Sequence, residues 1–141
     1  MIKIPLKYTD YDGNEREETF RFNISKAELI DMEYTTEGGL KQKIEDIIKA
    51  RDTTKIYKMF VEIIDKAYGV KSADGRGFRK SPEILAEFKQ SEAYSELMMK
   101  IMSDSKFAAN LVAGIIPEDL SEKIDELSNN NETTKQFLAN R

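Results

Sequence analysis

Tyr68-Gly69-Val70-Lys71-Ser72-Ala73-Asp74-Gly75-Arg76-Gly77-Phe78-Arg79-Lys80-Ser81-Pro82 separates two long apolar helical patterns and decides how the chain divides. Asp74-Gly75 is a strong turn pair, because glycine accepts positive φ without steric cost. Ser81-Pro82-Glu83 then reads as a helix start, with Ser as N-cap, Pro in the first helical position and Glu in the first turn. The stretch is therefore expected to be a loop joining two packed helical halves.

Upstream of it, residues 54–68 carry the most apolar pattern. Ile56, Met59, Phe60, Ile63, Ile64 and Ala67 fall on one broad face, widened by Tyr57, Val61 and Tyr68. A helix this apolar is expected at the centre of the fold. Before it, Leu40, Ile44, Ile47 and Ile48 mark another helix, and Asp52-Thr53-Thr54 separates the two. Ser25 and Glu28 have capping-box spacing, with Ile24 and Leu29 placed as a hydrophobic staple. A first helix therefore starts at Ser25, carries Leu29, Ile30 and Met32, and fails before Gly38-Gly39.

The N-terminal residues follow a different period. Ile2, Ile4, Leu6 and Tyr8 alternate with Lys3, Pro5 and Lys7, and Phe20, Phe22 and Ile24 alternate with Thr19, Arg21 and Asn23. Period two means half-buried strands, so residues 2–24 form a β-hairpin about the turn Asp10–Asn14. Pro5 cannot donate to a ladder, which favours an edge for the first strand. The run Asp10-Tyr11-Asp12-Gly13 lacks calcium-loop spacing, since Gly is fourth rather than sixth, and reads as a turn.

Downstream, Ile84, Leu85 and Phe88 open a helix, and Ser91-Glu92 breaks or bends it. Tyr94, Leu97, Met98, Ile101 and Met102 continue at helical spacing, with Met99 off that face. Ser103 or Asp104 starts a further helix through Phe107, Ala108, Leu111 and Val112, and Pro117 stops it. The expected architecture is α+β and predominantly helical, with the hairpin packed on about five helices. A single globular domain spans 1–117, comprising the hairpin 2–24 and the helical part 25–117. Residues 118–141 form an amphipathic segment, with the stripe Leu120, Ile124 and Leu127, and a polar tail expected to be mobile because it lacks apolar groups to offset ordering.

Composition narrows the chemistry. The 141 residues include no cysteine and no histidine. Disulfides, Cys/His zinc sites and nucleophiles paired to histidine are thereby excluded. Adjacent carboxylates such as Glu45-Asp46 point in different directions on a helix and do not suit shared acid–base work. No enzyme activity, cofactor or metal is expected. Net charge is −4, from 22 basic and 26 acidic side chains mixed along the chain, which disfavours nucleic acid as a partner. No apolar run is long enough to cross a bilayer, so no membrane is expected either. The densest basic group, Arg76, Arg79 and Lys80 with Lys71 nearby, lacks phosphate-loop spacing. It reads as a solvated basic loop or one that docks an acidic partner. Methionine is flexible and polarizable and recurs at adaptable surfaces. Most of the patch around Met98 reads as core by its spacing. Met99, off the main face, and Met102, at its helix end, are expected to be open.

Several of these residues also carry a resemblance. Tyr68–Gly75, Phe78-Arg79-Lys80-Ser81-Pro82-Glu83, Phe88-Lys89-Gln90-Ser91-Glu92-Ala93-Tyr94-Ser95-Glu96-Leu97 and Ile115-Ile116-Pro117 resemble the tail assembly chaperones of long-tailed phages, particularly siphophages of Gram-positive hosts. The resemblance covers about a third of the chain strongly. It implies a non-enzymatic protein that binds the tape-measure protein and helps recruit tail-tube protein during tail morphogenesis. It further implies action in the cytoplasm of the bacterial host, absence from the mature virion, self-association and a frameshift-extended longer form. Arg76, Phe78, Arg79, Tyr94, Met99 and Met102 are the partner-binding candidates. The alternatives are a small nucleic-acid-binding regulator using loop 71–80, or a structural tail protein retained in the virion.

Overall fold

The computed structural model describes residues 1–115, the side chains of Lys41 and Ile48 excepted. Strands β1 (Ile2–Thr9) and β2 (Glu15–Phe22) form the expected hairpin, in the register Ile2↔Phe22 through Thr9↔Glu15. Alternation sends Ile4, Leu6 and Phe22 into the core and leaves Lys3, Pro5 and Lys7 exposed. In the connecting turn Asp10 accepts hydrogen bonds from the Asp12 and Asn14 amides and from Arg16 Nε. The Arg16 guanidinium and these amides hold its carboxyl below the usual carboxylate range. The calcium-like run is thus an ordinary acid-braced turn.

The stretch at 68–82 differs from expectation in an instructive way. Helix α3 (Thr53–Ala67) ends one residue before Tyr68, and Tyr68–Lys71 become strand β3. Phe78–Arg79 return as β4, giving an antiparallel sheet of order β1-β2-β3-β4. The expected loop is therefore a second hairpin that widens the first. Its turn is as read from Asp74-Gly75: Gly75 has φ +78°, and Asp74 accepts from the Arg76 amide and the Ser72 hydroxyl. Pairing of β3 rests on Phe22↔Tyr68 and Arg21↔Gly69, residues far apart in sequence. Gly69 is required by close approach: a Cβ there would meet the Phe78 ring at 2.6 Å and the Arg79 carbonyl oxygen at 2.9 Å.

Among the described residues the helices number six. Helix α1 (Lys26–Thr35) has the full capping box of Ser25 and Glu28. A Glu33 carboxylate oxygen accepts the Leu40 amide at the start of α2 (Leu40–Ala50). Asp52 caps α3 through the Thr54 and Lys55 amides. Ser81 caps α4 (Pro82–Lys89), accepting from the Ile84 amide. The chain then breaks at Gln90-Ser91 before α5 (Glu92–Ser103), and Asp104 accepts from the Phe107 amide to start α6 (Ser105–Ile115). The Tyr11 hydroxyl, from the β1–β2 turn, lies 3.0 Å from the Gln90 carbonyl oxygen at that break.

The core sits between one sheet face and helices α3, α5 and α6. Phe22, Ile64, Leu97, Leu111 and Ile115 are its most enclosed large side chains. Beside them Phe88 stacks on Tyr68 at 4.2 Å between centroids, with Phe20 at 5.1 Å and Tyr94 edge-on at 5.3 Å. Such ring pairs add to the area they bury. The opposite sheet face carries Lys3, Pro5, Lys7, Glu17 and Thr19, all exposed. The expected stop at Pro117, the domain boundary there, and the segment and tail at 118–141 lie outside the described residues.

Candidate partner-binding site

Helix α5 divides into faces set by its spacing. Ala93, Leu97 and Ile101, at intervals of four, are buried, and the helix packs on β1. Tyr94 and Met98 flank this face and are half-buried against the core. Met99 and Met102, three apart, project on the outer side with Ser95 and are 68% and 67% exposed. Two flexible thioether side chains on one turn of a helix whose back is locked into the core form an apolar, adaptable contact point. The division agrees with Met98 as core-facing and with Met99 and Met102 as open.

Tyr94 belongs less to that surface than to the core. Its ring meets Phe88 edge-on and lies under the Lys89 ammonium at 5.8 Å. Burial pushes its phenol up, against the pull of Lys89. The remaining candidates lie on the second hairpin. Arg76 and Arg79 are exposed, whereas Phe78 is half-buried over Gly69. The structure places the hairpin group and the α5 methionines on different elements.

Lys80 departs from the solvated basic loop expected of it. Its ammonium donates to the Asn23 and Lys66 carbonyl oxygens at 2.7 and 2.6 Å and to both Glu28 carboxylate oxygens at 2.9 and 2.8 Å. It also lies 5.6 Å from the Phe78 ring centre. Burial pushes the Glu28 carboxyl up, but hydrogen bonds from Lys80 and Ser25 outweigh it and hold the carboxyl below the usual range. Lys80 is thus an internal clamp, and the accessible positive charges of the hairpin reduce to Lys71, Arg76 and Arg79.

A second apolar surface was not singled out by sequence reasoning. Helix α1 has no buried residue. Leu29 and Met32 lean on the core, while Ile30 and Tyr34, four apart, are 59% and 84% exposed. The signal was present: the apolar residues of α1 fall on two faces rather than one, which a single stripe cannot satisfy.

An open recess of about 460 Å³ lies beside the β1–β2 tip, lined by Lys7, Tyr8, Thr9, Glu15, Arg16, Glu17 and Glu96. Tyr8, on its wall, donates its hydroxyl to Glu18 of β2, a contact that serves the strand pair. Among the described residues no group of three or more acidic side chains is gathered to hold a metal ion, and no helix is long and apolar enough to cross a membrane.

A family model described as a phage tail assembly chaperone matches residues 1–140. No curated protein and no solved structure matches the chain.

Proposed function

The chain belongs to the phage tail assembly chaperone family, and from that premise we propose that it holds the tape-measure protein and helps bring tail-tube subunits to it during tail morphogenesis. The role is non-enzymatic. In this reading it acts in the cytoplasm of the bacterial host, in phages of the siphophage type, and leaves before the virion is complete. A frameshift-extended form and self-association along the tape-measure rod belong to the same reading.

The observation that carries it is the exposed pair Met99 and Met102 on α5. A tape-measure segment not yet enclosed by the tube offers apolar helical surface. Helix-in-groove and helix-on-helix contacts are made by such flexible apolar anchors at helical spacing. The rigid support behind the pair, Leu97 and Ile101, keeps its position fixed while the thioethers adapt. Arg76, Phe78 and Arg79 are a second contact, suited to acidic groups on a partner. Tyr94 contributes by its partly exposed edge.

The test is co-expression with a tape-measure fragment, followed by pull-down and thermal unfolding. Met99→Asp and Met102→Asp are expected to remain folded and to lose capture. Full capture by both folded variants would remove α5 from the binding surface. Particle proteomics checks the departure: a stoichiometric signal in purified virions would instead make the protein a retained tail component.

A further inference from the structure

The sheet face turned away from the helices changes sign along its length. Lys3 and Arg21 stand directly opposite each other across β1 and β2, and Gly69 of β3 continues the row. Two residues further along β3 the same alternation brings Lys71 to this face, paired with Phe78, whose ring lies over Gly69. Lys3 and Lys71 are exposed, and Arg21 and Phe78 are half-buried. Toward the β1–β2 tip Pro5 stands opposite Thr19, Lys7 opposite Glu17 and Thr9 opposite Glu15. One end is therefore positive, the middle neutral, and the tip balanced or acidic.

Like charges directly opposite each other in an antiparallel pair are destabilising. Elsewhere on the fold Arg16, Lys80 and Lys89 each meet a carboxylate. Among the described residues Lys3, Arg21 and Lys71 have none at ion-pair distance. The Lys71 ammonium donates to the Ser72 carbonyl oxygen, which is neutral, and Arg21 Nε is enclosed with no acceptor. A cost in stability that no described contact offsets is the mark of a surface kept for a ligand.

The charge pattern selects the ligand. The three cations lie across about 10 Å of sheet, a span that two or three carboxylates on one short segment can match, with the Arg21 guanidinium suited to a two-oxygen contact. Phe78 and Pro5 border them with apolar surface. A nucleic-acid backbone would carry its charge onward toward Thr9, about 20 Å from Lys3. There it would meet Glu17 and Glu15, on a chain of net charge −4. A protein segment with its acids clustered at one end fits both halves of the face.

We propose that Lys3, Arg21 and Lys71, with Phe78 beside them, form a docking surface for an acidic segment of a protein partner. Its carboxylates lie over the cations and its neutral or apolar part runs toward Pro5 and Thr19. Arg76, in the hairpin turn, and Arg79, which pairs with Val70 on the other alternation, do not belong to this surface. Met99 and Met102 sit on the helix layer behind the opposite sheet face, so both surfaces can be occupied at once. The inference stands on charge and register and is independent of the tape-measure reading.

The test is an NMR titration of the isotope-enriched full-length protein with three probes: a synthetic peptide of clustered glutamates followed by alanines, its glutamine counterpart, and a single-stranded oligonucleotide. The glutamate peptide is expected to shift the amides of Lys3, Arg21, Lys71 and Phe78 and to leave those of Met99 and Met102 in place. The glutamine peptide is expected to shift none of them, and the oligonucleotide to bind more weakly than the glutamate peptide. Lys3→Glu turns the like-charge pair into an opposite-charge pair. It is expected to raise the melting temperature while weakening the glutamate peptide by about tenfold, a split that a purely structural role would not produce. Lys71→Glu, outside that pair, is expected to weaken the peptide to a similar extent. No shift at the four amides overturns the proposal, as does unchanged affinity in the Lys71→Glu protein. A lowered melting temperature in Lys3→Glu overturns it as well, since the pair would then carry no cost. Tighter binding of the oligonucleotide than of the peptide overturns the choice of a protein partner.

Discussion

Lys80 joins three elements with one ammonium group. It satisfies carbonyls at the ends of β2 and α3 and the carboxylate that caps α1. Lys80→Met leaves those acceptors short of a donor and is expected to cost about 1–3 kcal/mol, read as a lowered denaturant midpoint. The pH dependence follows from Glu28. Its carboxyl is held below the usual range in the folded chain, so its contribution is complete at neutral pH and is lost as pH falls through that lowered value. Glu28→Gln is therefore expected to lower the melting temperature at neutral pH and to make little difference in strong acid. Gly69 is the other decisive residue. Gly69→Ala drives a methyl into the Phe78 ring and into the Arg79 carbonyl oxygen, which is backbone and cannot swing aside. An overpacking cost of about 1–3 kcal/mol is expected, with loss of amide protection in β3 and β4.

At the scale of elements, α1 and α3 have opposite characters. Helix α3 buries Ile56, Met59, Phe60, Ile63, Ile64 and Ala67 fully, whereas α1 only leans Leu29 and Met32 on the core. Local opening follows buried apolar contact, so α1 amides are expected to exchange with solvent well before those of α3. Native-state hydrogen exchange measures the difference, and equal protection would mean that α1 is held by more than its cap and the Lys80 clamp. The helix boundaries were largely legible because capping is local: Ser25 with Glu28, Asp52 and Ser81 each act within three residues. Strand β3 was not, since Tyr68 continues the apolar face of α3 while its pairing partner Phe22 lies on the other side of three helices. A residue that satisfies both periods is assigned by its neighbours in space.

For the molecule as a whole, the outer face of α5 rests on a support that must not change. Leu97 is fully enclosed between α5 and the sheet, so Leu97→Ala is expected to cost about 2–5 kcal/mol. Met99→Asp and Met102→Asp place a charge in solvent and are expected to leave the melting temperature within a few degrees of the parent. Thermal unfolding of the three variants separates support from surface. A large loss in Met102→Asp would mean that this side chain is covered in the folded protein.

The sequence by itself determined the class of the fold, the first hairpin and its inward face, the capped helix starts and the absence of Cys and His chemistry. These follow from periodicity, from caps closed within one turn, and from composition, all of which are local or additive. It also carried the resemblance that the family match extends from residue 1 to residue 140. Only the tertiary structure decided that 68–79 is a second hairpin, that Lys80 is an internal clamp and that α1 shows Ile30 and Tyr34 to solvent. Each of these depends on what stands opposite a residue across long sequence separation. The Phe22↔Tyr68 pairing, the Asn23 and Lys66 carbonyls under Lys80, and the exposure of Ile30 and Tyr34 among the described residues are properties of packing, and no local pattern encodes them.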